Sequence, residues 1–175
     1  MTGINRIALI NLQGQVVTTD PVGYSRRTLT EVGRVFQFPA WAPDGSGLAA
    51  IGNDRLGSGV YLLHDQPSPP EPATLYRSTA GDTPIYLYWS PDSRRVSFIA
   101  SQPHEGLGLH LAEVESRTSR LLATGRPLFW DWTPDAGQIL IHTAISSLGA
   151  RLAFIDPQGD GQGSNLAQPG SSSRV

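Results

Sequence analysis

The side chains of this chain that could do chemistry are few and scattered. His64, His104, His110 and His142 are the candidate metal ligands or general bases, and no two of them form a His-x-x-x-His pair. A zinc or catalytic centre needs two or three such groups converging from neighbouring positions, so structural or solvent-facing histidines are the expectation. The chain has no cysteine, which removes disulfides, thiolate metal sites and cysteine nucleophiles. A hydrolase serine on a sharp turn would sit in Gly-x-Ser-x-Gly, and neither Gly57-Ser58-Gly59 nor Gly163-Ser164 supplies that spacing. Asp156-Pro157-Gln158-Gly159-Asp160-Gly161 has the acid-and-glycine look of a calcium loop. Its twelfth position, however, is Ala167, where such a loop needs a bidentate glutamate, so a hairpin turn is expected instead. The sequence therefore assigns no catalytic, cofactor-binding or metal-ligating residue, and no cofactor.

The regular carboxylates are Asp44, Asp92 and Asp135, and they lead to the organisation of the chain. They lie in Trp41-Ala42-Pro43-Asp44-Gly45, Trp89-Ser90-Pro91-Asp92-Ser93 and Trp132-Thr133-Pro134-Asp135-Ala136, whose tryptophans are 48 and 43 residues apart. Proline fixes φ at the second position of a turn and aspartate accepts from local backbone N–H groups. Each Asp is thus expected to serve its own turn rather than a shared carboxylate rim.

Around each turn the apolar runs recur. Val35–Ala40, Ile85–Tyr88 and Leu128–Asp131 precede the tryptophans and read as a first strand. Leu48–Ile51, Val96–Ile99 and Ile139–His142 begin seven residues after them and read as a second. Val60–His64, Leu109–Glu113 and Leu152–Asp156 follow 19 or 20 residues after each Trp as a third. Ala73–Arg77, Ser119–Thr124 and a weaker run near Ser164–Gln168 make a variable fourth. The approach to the first of these, Gln66–Pro72, is proline-rich, as an outer edge tolerates. Ile7–Asn11 matches the third strand by pattern, with Gln15–Thr19 as its hairpin partner and Asp20–Gly33 as a long connection. A period of roughly 40 to 50 residues with four short strands is the mark of a propeller blade.

Nineteen glycines and 14 prolines against 16% charged residues favour many short strands over helices. A net charge of −2 leaves no electrostatic footprint for nucleic acid. Ile7–Leu12 is too short an apolar run for a signal-peptide core or a membrane span.

Trp-Ser-Pro-Asp followed by two apolar strands resembles the WD40-like PD40 repeat of TolB-type β-propellers, three times over. Ala42 and Thr133 stand in place of the motif Ser, and Ser93 and Ala136 in place of its Gly, a drift read as free of backbone demand. The fold expected is all-β, a partial propeller of about three and a half four-stranded antiparallel blades: 1–34 a partial blade and connection, 35–83, 84–126 and 127–168 complete blades, and 169–175 the start of another or a tail. Closed propellers have roughly 4 to 8 blades. The chain is accordingly expected to be part of a larger propeller or to hide its open blade faces by self-association.

Phe36, Phe38, Tyr86, Tyr88, Phe129 and Trp130 are expected mostly in the core between blades, with polar-tipped rings reaching the channel mouth. Loops 66–72 and 102–106 are the expected partner contacts. The resemblance implies a non-enzymatic scaffold with a protein partner, in the periplasm or at the cell surface. The alternative is the accessory propeller of a prolyl-oligopeptidase or dipeptidyl-peptidase type serine peptidase.

Overall fold

The computed structural model describes residues 5–78, 81–102, 106–144, 150–159 and 164–167. Fifteen strands and no helix occur among them. The first sheet holds β1 (Ile7–Ile10), β2 (Val16–Thr19) and β3 (Arg27–Thr28). The second holds β4 (Val35–Trp41), β5 (Leu48–Asp54), β6 (Gly57–Leu63) and β7 (Ala73–Arg77). The third holds β8 (Thr83–Trp89), β9 (Arg95–Gln102), β10 (Gly106–Glu113) and β11 (Ser119–Gly125), and the fourth β12 (Leu128–Trp132), β13 (Ile139–Ala144), β14 (Ala150–Ile155) and β15 (Ser164–Ala167). Each sheet is an antiparallel meander in chain order. These are the blades of a partial propeller.

The core lies between sheets rather than within any one. Val16, Leu29, Phe36, Leu48, Ala50, Tyr61 and Leu63 pack between the first and second sheets. Ala49, Ile51, Val60, Leu62, Leu87, Trp89, Val96 and Phe98 pack between the second and third. Leu109, Leu111, Leu128, Trp132, Ile139 and Ile141 pack between the third and fourth. Successive residues of β5 and β6 thus feed opposite clusters, which is why these strands are unbroken apolar runs instead of alternating ones. Each fully buried Leu or Ile contributes about 1.5–3 kcal/mol.

The turns after the tryptophans repeat bond for bond. Gly45 N donates to Ala42 O at 2.8 Å, Ser93 N to Ser90 O at 3.0 Å and Ala136 N to Thr133 O at 2.9 Å. The fifth position of the motif is left-handed in all three copies, with φ of 74° at Gly45, 60° at Ser93 and 58° at Ala136. The reading of Ser93 and Ala136 as drift without backbone demand is therefore corrected: the turn requires this conformation, and two copies adopt it with a side chain.

The first sheet also differs from expectation. Arg27–Thr28, within the stretch read as a connection, bonds to β2 as an outermost strand. In every complete sheet the outermost strand leads into the next inner one, and β3 leads into β4 in the same way. β1 and β2 are therefore the second and third strands of their blade, not the third and fourth. Their orientation agrees: Phe36 N donates to Gly14 O in the β1–β2 turn. At the opposite end Arg6, Arg27 and Thr18 converge on Asp65, just past β6. Among the described residues this sheet has no inner strand.

Candidate functional site

The inner strands β4, β8 and β12 carry the chain's densest group of rings. Tyr86 and Tyr88, two apart on β8, project to one side, and their rings meet at 5.1 Å and 74°. Trp130 of β12 lies edge-on to both, 5.5 Å from Tyr88 and 6.4 Å from Tyr86. Phe38 of β4 completes the row, 5.6 Å from Tyr86 at 68°. All four contacts are edge-to-face, the geometry that ring quadrupoles favour. The row crosses three blades.

These rings are largely outside the core, which corrects the expectation. Phe36 is buried, but Phe38 is 47% exposed, Tyr86 38%, Tyr88 48% and Phe129 61%, while Trp130 is half-buried. The reason is position: the aliphatic residues of the second and third strands fill the space between sheets. Only alternate residues of an inner strand, such as Phe36, Leu87 and Trp89, reach back into it. Phe129 lies on the outward face of the fourth sheet, stacked on exposed His142 at 6.1 Å.

Phe38 has φ of 52°, unusual for a bulky residue, at the point where the β4–β5 register slips between Gln37 and Ala40. Such a conformation costs about 1–3 kcal/mol and persists only where its surroundings impose it. The Tyr88 hydroxyl is pushed above its ordinary pKa by its hydrogen bond with Tyr86, by the charge Tyr86 carries when ionised, by burial and by the charge of Asp131.

Trp130 is fixed from behind. Its Nε1 donates to Ser97 Oγ at 2.8 Å, and Trp132 Nε1 donates to the same oxygen at 2.9 Å. Ser97, fully buried in β9, in turn donates to Tyr88 O at 3.1 Å. Trp89 instead donates to Ala40 O, on the inner strand of the preceding blade, at 2.9 Å. Trp41 has no such strand before it, and its buried Nε1 has no acceptor among the described residues.

The remaining candidates stay apart. Asp44, Asp92 and Asp135 each accept the backbone N–H two residues on, at 2.9, 3.1 and 2.9 Å. The bonds to Asp44 and Asp135 hold their carboxyls below the ordinary value. For Asp92, burial pushes upward but the bonds from Ser90 and Arg94 prevail. His110 is buried beside Tyr76 and stacked on Phe98 at 5.1 Å. Burial lowers its pKa, with Asp82 opposing. His64 is exposed, and His104 lies outside the described residues. Asp156 accepts from Gln158 N at 2.7 Å, and Arg120 donates to the carbonyls of Pro157 and Gly159, so this segment is a bonded turn. Asp160 and Gly161 also lie outside the described residues. Among the described residues no three potential metal ligands converge. Pro69–Pro72 and Thr28–Glu31 line a cleft of about 240 Å³; most of loop 102–106 is not described.

No protein-family model matches the chain, and no curated protein does. Solved structures do. TolB from Acinetobacter baumannii superposes with a TM-score of 0.61 at 19% identity, over 95% of this chain and 42% of that one. An oligogalacturonate lyase in complex with manganese gives 0.65 at 17%, over 88% and 46%. Pyrococcus horikoshii acylaminoacyl peptidase gives 0.64 at 12%, over 94% and 31%. At these identities the likeness is one of fold, a TolB-like propeller. The chain spans less than half the length of each.

Proposed function

We propose that this chain is a propeller scaffold without catalytic activity of its own, recognising a protein partner through the aromatic row on its inner strands. The observation that carries this reading is Phe38: a strained backbone holds a half-exposed ring in line with Tyr86, Tyr88 and Trp130. Rigid, amphipathic rings give large contact area at small entropic cost, which is why Tyr and Trp dominate binding hot spots. The resemblance to TolB supports placing such a scaffold in the periplasm or at the cell surface.

A second reading is the accessory propeller of a serine peptidase whose catalytic unit lies outside these 175 residues. It is favoured by matches of similar quality to peptidases, including prolyl endopeptidase, where a TM-score of 0.67 covers 92% of this chain and 24% of that one.

The test is photo-crosslinking from position 88, with position 56 in the exposed β5–β6 turn as control. The scaffold reading expects one discrete adduct from 88 and none from 56, with loss of the adduct in Phe38→Asn, which tolerates the left-handed conformation. Equal labelling from both positions, or none, refutes it. An adduct to a serine-hydrolase domain establishes the second reading.

A further inference from the structure

We infer that the free edge of β1 takes an extended segment of the partner polypeptide, which pairs antiparallel to it as the inner strand of the first sheet. This rests on the recognition reading and adds where, and in what form, the partner is held. Among the described residues β1 is bonded only to β2. Val16, opposite Ile10, turns both its backbone groups to the far side of β2: its N–H donates to Thr30 Oγ1 at 3.0 Å and its carbonyl accepts from Leu29 N at 2.8 Å. Opposed residues of antiparallel strands alternate between bonded and unbonded pairs, so Ile10, and Ala8 two residues before it, point their N–H and C=O groups away from β2. Such an unpaired edge is a template to which another strand adds.

The tryptophans identify what belongs at this edge. The indole of Trp89 reaches the carbonyl of Ala40 directly at 2.9 Å, and that of Trp132 reaches the carbonyl of Tyr88 through Ser97 Oγ. Both carbonyls belong to the inner strand of the preceding sheet, one residue before its Trp. Trp41 follows the first sheet, and its buried Nε1 has no acceptor among the described residues. A strand bonded to Ala8 and Ile10 brings a main-chain carbonyl to that indole. In all three complete sheets the inner strand runs antiparallel to the second, which sets the direction of the added segment. Opposed residues share a face. Those opposite Ala8 and Ile10 therefore face the second sheet, as Tyr88 and Tyr86, opposite Ser97 and Ile99, face Trp130 of the fourth. Rings at these positions carry the aromatic row one strand beyond Phe38. A second copy of this chain has no inner strand to give, because β4, β8 and β12 are each bonded within their own sheets. The occupant is a separate extended segment with rings at alternate positions and no proline where it bonds to β1.

The test uses the full chain and a blocked peptide copying residues 85–90, Ile-Tyr-Leu-Tyr-Trp-Ser, with lysines appended for solubility. Two control peptides carry N-methyl groups, one on both tyrosines, the other on Leu and Trp. The first loses the N–H groups that face β1, and the second those that face away from it. Binding is read from amide exchange at Ala8 and Ile10 and from the Trp41 indole N–H resonance, assigned by its disappearance in Trp41→Phe. We expect exchange at both amides to slow about tenfold or more at saturation, and the indole proton to move downfield. Methylating the tyrosines should weaken binding about tenfold more than methylating Leu and Trp. Equal weakening by the two methylations overturns the inference, as does binding that leaves both amides and the indole unchanged, or no binding at all. Protection of Ala8 and Ile10 without peptide that disappears on dilution also overturns it, because a second copy then fills the edge. The crosslinking from position 88 does not involve β1, so in each of these cases it decides the recognition reading by itself.

Discussion

Ser97→Ala is the sharpest test of how the blades are joined. The hydroxyl accepts from two indoles and donates to a carbonyl, all within 3.1 Å, at a site with no solvent exposure. Its removal orphans the indole N–H of Trp132, itself 8% exposed, at about 1–3 kcal/mol. The half-buried Trp130 regains water in part, and its loss and that of the Tyr88 carbonyl bond add about 0.5–1 kcal/mol each. The sum is about 2–5 kcal/mol, and a 3 kcal/mol loss in a chain of this size lowers the melting temperature by roughly 6–12 °C. Circular dichroism melts read the effect. Ser101→Ala, whose hydroxyl sits 3.5 Å from Thr83 O, is the control and should stay within about 0.5 kcal/mol. Adding Trp132→Phe should recover part of the coupling, because the stranded donor is then gone. A Ser97→Ala protein that melts within a degree of the parent refutes the argument that these indoles tie the third blade to the fourth through one oxygen.

Three further outcomes are expected. Gly125→Ala places a Cβ 1.6 Å from Thr143 Oγ1 and 3.1 Å from Ala144 O, so denaturant melts should show a loss of roughly 2–3 kcal/mol from overpacking, partly relieved by Thr143→Ala. Gly45→Ala forces a side chain into a left-handed turn residue with φ of 74° and should cost about 1 kcal/mol in the same melts. For His110, burial lowers the pKa, so the unfolded chain binds a proton that the folded chain resists. Stability is then complete above the ordinary value of 6.5 and falls as pH drops below it. The loss between pH 7 and pH 5 should be smaller in His110→Phe, and an unchanged pH profile there would exclude His110 as its source.

The sequence made the repeat plain because the Trp-x-Pro-Asp turns and the double-faced apolar strands are set by local chemistry: a φ-restricted Pro, an Asp that caps its own turn, and residues buried on both sides. The same property hid the place of β1. In the complete blades the second and third strands are both largely buried on both faces and read as apolar runs, so Ile7–Ile10 matches either by pattern, and only the bonding of the two-residue β3 to β2 decides between them. The left-handed turn at Ser93 and Ala136 was illegible because two side chains tolerate what a glycine would announce. The aromatic row was misread for a different reason. Hydrophobicity says that a ring prefers burial, but it does not say that the space between blades is already filled by Leu, Ile and Val from the neighbouring strands. The run Tyr86-Leu87-Tyr88, alternating polar-tipped rings with a buried Leu, held the signal.

The placement of every cluster between two sheets has a consequence for how such a chain comes to exist at all. A lone sheet has two sticky sides and no interior, so the smallest piece able to stand in water is a pair, and each additional sheet gains one new seam and exposes one fresh side. Folding is then a zipper of nearest neighbours that can start at any seam. Growth by copying a stretch of 43 to 48 residues leaves all existing seams intact. A seam also fails alone: damage at Ser97 should loosen the third blade from the fourth while the packing of the first on the second persists. Hydrogen exchange would reveal this as two separately protected halves of one chain.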